Sequence, residues 1–166
     1  MTQHRAGLQI IASGAGLLFM GLLWGLNVPN TPFPRLALTA HIGAMTEGSM
    51  ILATGLLVKQ TDILELSSLQ QTVVVWGINA AWVSILSEVI NSYWGAKDML
   101  PIAALQARAN GGATWQEAIV SISHLVAGPA MIVGFGTLIY ELFMGRKGLN
   151  VMGKSEETDI ASKKVH

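Results

Sequence analysis

Four ionisable side chains, His41, Glu47, Glu88 and His124, lie inside long apolar stretches of this 166-residue chain. Charges and titratable groups are costly in hydrocarbon, and they ordinarily face a protein interior or a cavity where they bind, pair or move protons. A histidine there offers a ring nitrogen to a metal or to a hydrogen bond. A carboxylate must be protonated, paired or hydrated, so it can carry a proton or tie two helices together.

His41 stands in the run Arg35-Leu36-Ala37-Leu38-Thr39-Ala40-His41. At helical spacing its face continues through Ala44, Met45 and Gly48, all small or thin, so another body can come close. That body is either a neighbouring helix, packed on small residues, or a flat cofactor with the histidine as its axial ligand. Glu47 follows six residues later, at roughly 600° of rotation, and therefore does not share the His41 face. Its plainer role is a hydrogen bond between helices.

Asn79 and Trp82 are one turn apart, as are Glu88 and Asn91, so each pair shares a helix face. These residues can line a pocket for an aromatic ligand, and Asn79 can equally hold two helices together. Tyr93 and Trp94 fit an interfacial aromatic belt. His124 precedes Gly128-Pro129; it is either a second ligand or a partner for the backbone group that the proline frees. Thr114-Trp115-Gln116-Glu117 fits a capping box with Thr114 as N-cap, which gives Glu117 a structural task.

The elements that carry these residues follow from apolar length. Apolar side chains make up 51% of the sequence and charged ones 12%, with a mean hydropathy of +0.49; a soluble domain carries about twice that charged share. Four apolar stretches, at about 7–28, 36–58, 69–93 and 118–143, each have the length that spans ~30 Å of hydrocarbon as a helix. Backbone groups without water leave no other state for them. The expected fold is therefore all-α, an integral membrane four-helix bundle occupying 1–147, with a polar, disordered tail at 148–166. The first stretch is too long for the apolar part of a signal peptide and is followed by three more.

Arg5, Lys59, Arg146, Lys147, Lys154, Lys163 and Lys164 fall on one side of such a bundle, against Arg35, Lys97 and Arg108 on the other. By the positive-inside rule both termini are expected in the cytoplasm. The loop at 95–115 carries an apolar segment, Met99 to Leu105, before the turn Asn110-Gly111-Gly112. It either dips into the interface, covers a cavity mouth, or is a plain interfacial loop. The absence of cysteine excludes disulfides, thiolate chemistry and iron–sulfur clusters. A net charge of zero gives no electrostatic hold on nucleic acid.

The run Pro34 to His41 with Gly48 beyond it, the segment Met99-Leu100-Pro101-Ile102-Ala103-Ala104 after Trp94-Gly95-Ala96, and Trp115-Gln116-Glu117-Ala118 together resemble the hydroxylaminobenzene mutase family. The resemblance covers roughly 8–143, and the same pattern is similar to styrene oxide isomerase. It implies an isomerase that turns an arylhydroxylamine into an aminophenol by moving a hydroxyl group within one molecule. It also implies a homotrimer holding haem b between subunits, a small aromatic substrate, contact with membrane lipid, and a bacterial inner (cytoplasmic) membrane.

Carried over, His41 becomes the axial ligand of ferric haem, an iron with an open position and hence a Lewis acid. Ala44, Met45, Gly48 and Arg35 then surround the cofactor. Glu47 stands where those relatives have asparagine, and becomes a proton shuttle or electrostatic stabiliser. Asn79 joins it in catalysis, and Trp82, Glu88 and Asn91 line the substrate pocket. An epoxide-to-aldehyde isomerase on the same scaffold is the first alternative. The others are an electron carrier with His41 and His124 both on iron, and a cofactor-free transporter with His41, Glu47 and Glu88 as its proton relay.

Overall fold

The computed structural model describes residues 2–145; the polar tail expected at 148–166 lies outside them. Six α-helices follow one another: α1 Gln3–Asn27, α2 Pro34–Lys59, α3 Ser68–Asn79, α4 Ala81–Trp94, α5 Pro101–Ala107 and α6 Thr114–Met144, with a 3-10 turn at Val28–Asn30 after α1. Helices α3 and α4 together make one crossing, so among the described residues four segments are long and apolar enough to span a bilayer. Among the described residues there is no strand. The chain is an all-α integral membrane bundle. Leu26, Trp76, Leu125 and Ile132 are largely exposed on its outside, an arrangement suited to hydrocarbon rather than water.

Glycine spacing explains the closest helix pair. Gly7, Gly14 and Gly21 are seven residues apart, two turns, and so share one face of α1. They meet Gly55, Gly48 and Ala44 on α2. A methyl group built on Gly55 would lie 2.9 Å from the Gly7 carbonyl oxygen, and one on Gly48 would lie 3.1 Å from that of Gly14. The two backbones touch directly, which small residues alone permit. Gly55→Leu would drive its side chain into the Ile11 backbone nitrogen, 2.6 Å from a Cβ at that site. We expect it to cost about 1–3 kcal/mol or more, read as a fall in the thermal unfolding midpoint in detergent.

The third crossing is interrupted at Ala80, where the sequence reads as one unbroken run. Ala80 N–H is shared between the Trp76 and Gly77 carbonyls at 3.1 and 3.3 Å. On the residue before it, Asn79 Nδ2 donates one turn back to the Val75 carbonyl at 2.7 Å, so a side-chain amide competes with the helix ladder at the break. Gly77 then packs on Ala130 and Gly134 of α6.

The apolar segment of the 95–115 loop folds as α5, with Ala104 buried and Ile102 and Leu105 exposed. Arg35 Nε donates to Gln106 Oε1 at 2.7 Å, tying α5 to the start of α2. The head of α6 corrects the capping box expected at Thr114. The N-cap is Ala113, and Gln116 Oε1 accepts from its N–H at 2.7 Å. Glu117 accepts from the backbone of Lys97, Asp98 and Gly112 at 2.8–3.1 Å. Its carboxylate closes the loop because three convergent N–H groups hold it better than one N-cap would.

Candidate functional site

His41 faces α1. Its Nδ1 lies 2.8 Å from the Gly21 carbonyl oxygen. A carbonyl only accepts, so Nδ1 carries the proton and Nε2 keeps its lone pair. No hydrogen-bond partner reaches Nε2 among the described residues. The ring lies against Gly25, where a methyl group would be 2.8 Å from Cε1. A backbone-anchored imidazole with one free nitrogen is the form in which histidine ligates a metal.

The thin face beyond it packs on α1. Ala44 and Gly48 are fully buried against α1, and Met45 Sδ stands beside Gly21. Of the two bodies that small residues admit here, the structure places the helix. Ala44 and Gly48 pack against α1 within the chain.

Glu47 points elsewhere. A groove of about 400 Å³ runs between α2 and α4, and Arg35, Thr39, Ile42, Gly43, Thr46, Glu47 and Glu88 line it. A second cavity of similar size lies beside α5 and shares Arg35 and Thr39 with the first, so the groove continues beneath that short helix. Glu88 is the centre of a polar cluster. His124 Nε2 on α6 is 3.2 Å from Glu88 Oε1, with both side chains nearly buried. Glu88 Oε2 and Glu47 Oε2 are buried without a partner among the described residues, and Glu47 interacts electrostatically with both Glu88 and His124.

His124 Nδ1 meets the Val120 carbonyl at 2.9 Å, rather than the Leu125 carbonyl that Pro129 frees. Both its nitrogens are thus engaged within the chain, Nδ1 by Val120 and Nε2 by Glu88. The polar set that does assemble is Glu47, Glu88 and His124, without His41. Sequence spacing could not supply the Glu88–His124 partnership, because it joins helices 36 residues apart; the available signal was the cost of each group inside a span.

The remaining candidates are held by the bundle. Ser13 donates to Asn79 Oδ1, and Trp82 Nε1 donates to Ser13 Oγ at 2.8 Å, joining α1, α3 and α4. Asn91 is fully buried, and its amide both donates to the Ala96 carbonyl and accepts from the Ala96 N–H. Trp94 stacks edge-to-face on Trp115, centroids 5.0 Å apart. Among the described residues no group of three histidine or carboxylate side chains, the Glu47, Glu88 and His124 set included, is placed to hold a metal ion.

The family model described as styrene oxide isomerase matches residues 7–143. The hydroxylaminobenzene mutase HabA of Ectopseudomonas oleovorans is 35% identical over 100 residues, which cover 57% of this chain and 70% of that protein. HabB, the hydroxylaminobenzene mutase of the same organism, is 28% identical over 127 residues, 75% of this chain and 74% of its own length. No solved structure matches significantly. With the match running through all four spans, the chain belongs to the styrene oxide isomerase family and is a membrane-embedded isomerase.

Proposed function

We propose that the chain rearranges an arylhydroxylamine such as hydroxylaminobenzene into an aminophenol by intramolecular hydroxyl transfer. The observation that carries this choice is the half-buried Glu47 carboxylate in the α2–α4 groove, whose Oε2 is buried and meets no partner among the described residues. An epoxide becomes an aldehyde when hydride shifts between adjacent carbons, and no proton has to be carried. An arylhydroxylamine must lose hydrogen from a ring carbon and gain it on nitrogen, so a base is needed. A carboxylate kept in a membrane at considerable desolvation cost is explained by the second reaction and idle in the first.

Haem b is the cofactor in this proposal, and His41 is its ligand. The fit rests on the Nδ1 bond to Gly21, which leaves Nε2 free. When bound, ferric haem would supply a Lewis acid that stabilises negative charge on oxygen. The chain's own residues do the rest. The groove between α2 and α4 excludes bulk water that would trap a cationic ring. Glu47 takes the ring proton and returns it to nitrogen.

His41 turns to α1 and Glu47 to α4, so one copy does not bring them together. A site using both draws them from two copies, in line with a homotrimer holding haem between subunits in a lipid bilayer. The balance of basic residues supports an orientation with both termini in the cytoplasm, and a bacterial cytoplasmic membrane is part of this proposal.

The test is product analysis of the detergent-purified protein against hydroxylaminobenzene and styrene oxide, with an absorption spectrum of the same sample. Aminophenol formation and a Soret band that shifts with substrate support the proposal. Turnover of styrene oxide alone assigns the epoxide reaction, and a colourless active protein removes the haem.

A further inference from the structure

The Glu88 carboxylate has two faces. Oε1 meets His124 Nε2 at 3.2 Å, while Oε2 is buried without a partner. On that second side stands Gly43 of α2; a methyl group there would be 3.6 Å from Oε2. Gly43 and Glu47 are one turn apart on the same strip of α2, and both line the groove with Glu88. The free oxygen therefore opens toward the groove that holds Glu47.

His124 is fixed from behind. Nδ1 donates to Val120 O at 2.9 Å, with the Ser87 hydroxyl 3.5 Å away, so the proton on Nδ1 is committed. One further proton lies between Nε2 and Oε1. On nitrogen it makes an imidazolium–carboxylate pair, and on Glu88 it makes two neutral groups. The pair's total charge is zero either way, so moving that proton changes no net charge in a low-dielectric interior.

We propose that Glu88 and His124 are positioning residues forming a shared-proton pair that tunes Glu47 through the catalytic cycle. The inference rests on the arylhydroxylamine reading above. When Glu47 is a carboxylate, the pair keeps its proton on Glu88 and presents a neutral acid to it. After oxygen has joined the ring carbon, the C–H bond at that carbon breaks, its electron pair restores aromaticity, and the proton passes to Glu47. The shared proton then moves to His124, and Glu88 presents a carboxylate to the newly protonated Glu47. When Glu47 gives its proton to the substrate nitrogen, the shared proton returns to Glu88. Nothing is oxidised or reduced, and no proton is gained or lost overall. The charged groups that act on Glu47 are Glu88 from α4 and His124 from α6; Arg35 lines the same groove about three turns away and is bonded to Gln106.

The test uses the haem-loaded full chain with hydroxylaminobenzene and its analogue carrying deuterium at both ortho carbons. In Glu88→Gln and His124→Asn, kcat is expected to fall about tenfold or more, the low end of a lost acid–base contribution, while KM stays within about twofold. Ring deuterium should slow both variants more than the natural chain, because proton removal becomes the slow step. Glu88→Asp, which restores the carboxylate, should recover part of kcat and lose the added isotope effect. His124→Gln, which can still donate to Glu88, serves if His124→Asn fails to assemble, and should show the same isotope effect. Variants with full kcat and an unchanged isotope effect overturn the pair's role while leaving the mutase reading intact. A natural chain that leaves hydroxylaminobenzene untouched overturns that reading, and this proposal with it.

Discussion

His41→Ala is expected to lose its Soret band and its isomerase activity together, with conversion down roughly 10³-fold or more. That factor corresponds to the several kcal/mol that a Lewis-acidic metal contributes to charge stabilisation. The helix pair beneath His41 should survive, because Gly14, Gly48 and Gly55 hold α1 and α2 together without it. A coloured, active His41→Ala would remove the histidine from the centre of the mechanism. Gly25→Ala supplies the companion result. Its methyl would stand 2.8 Å from Cε1 and 2.9 Å from Nδ1 of His41, so the ring must swing away from Gly21. Weakened haem retention in a protein that still carries His41 would show that ring placement, and not merely its presence, is required. Haem content per chain after size-exclusion chromatography measures both variants.

The four crossings were legible because the solvent dictates them: a long apolar run in hydrocarbon has only the helix to satisfy its backbone. Interruptions within a run were not. The break at Ala80 depends on the Asn79 amide reaching back to Val75, a local competition that hydropathy does not register. The glycine stripe on α2 was visible, but one strip of small residues fits a helix or a planar ligand equally well. Only the matching strip on α1, Gly7, Gly14 and Gly21, decides for the helix.

The polar residues divide along similar lines. Rotation along α2 already separates His41 from Glu47, and the structure gives each its own surroundings: the α1 carbonyl for one, the α2–α4 groove for the other. Which groups on other helices meet Glu47 depends on tertiary packing. Glu88 and His124 are unremarkable as single residues, and their meaning comes from the 3.2 Å that joins them. Asn91 illustrates the reverse. One turn from Glu88, it reads as a pocket residue, yet both halves of its amide are engaged by Ala96, because a buried bend after α4 leaves backbone groups that must be met.

Glu47→Gln should lower kcat for hydroxylaminobenzene by about 10²–10⁴-fold, the range that a positioned acid–base group contributes, while haem content and the unliganded spectrum stay unchanged. Glutamine keeps the shape and one acceptor oxygen, so the groove persists and the loss falls on proton transfer. Hydride migration in an epoxide needs no base, so any styrene oxide turnover by the natural chain should be far less affected in the variant. Equal loss on both substrates would make Glu47 an electrostatic element rather than a proton carrier.

The same variant tests the geometry of the assembly. His41→Ala and Glu47→Gln each lack one half of the proposed site, and the two halves face different neighbours on α2. If the halves meet only between copies, co-expressing the two inactive chains restores sites where an intact His41 meets an intact Glu47. In a closed ring of randomly mixed copies that is about a quarter of all sites. If both residues serve one substrate within a single chain, mixing restores nothing. Recovered activity near a quarter, with haem content near half, would therefore establish a shared site from two inactive proteins, by a route that does not depend on how either variant behaves alone.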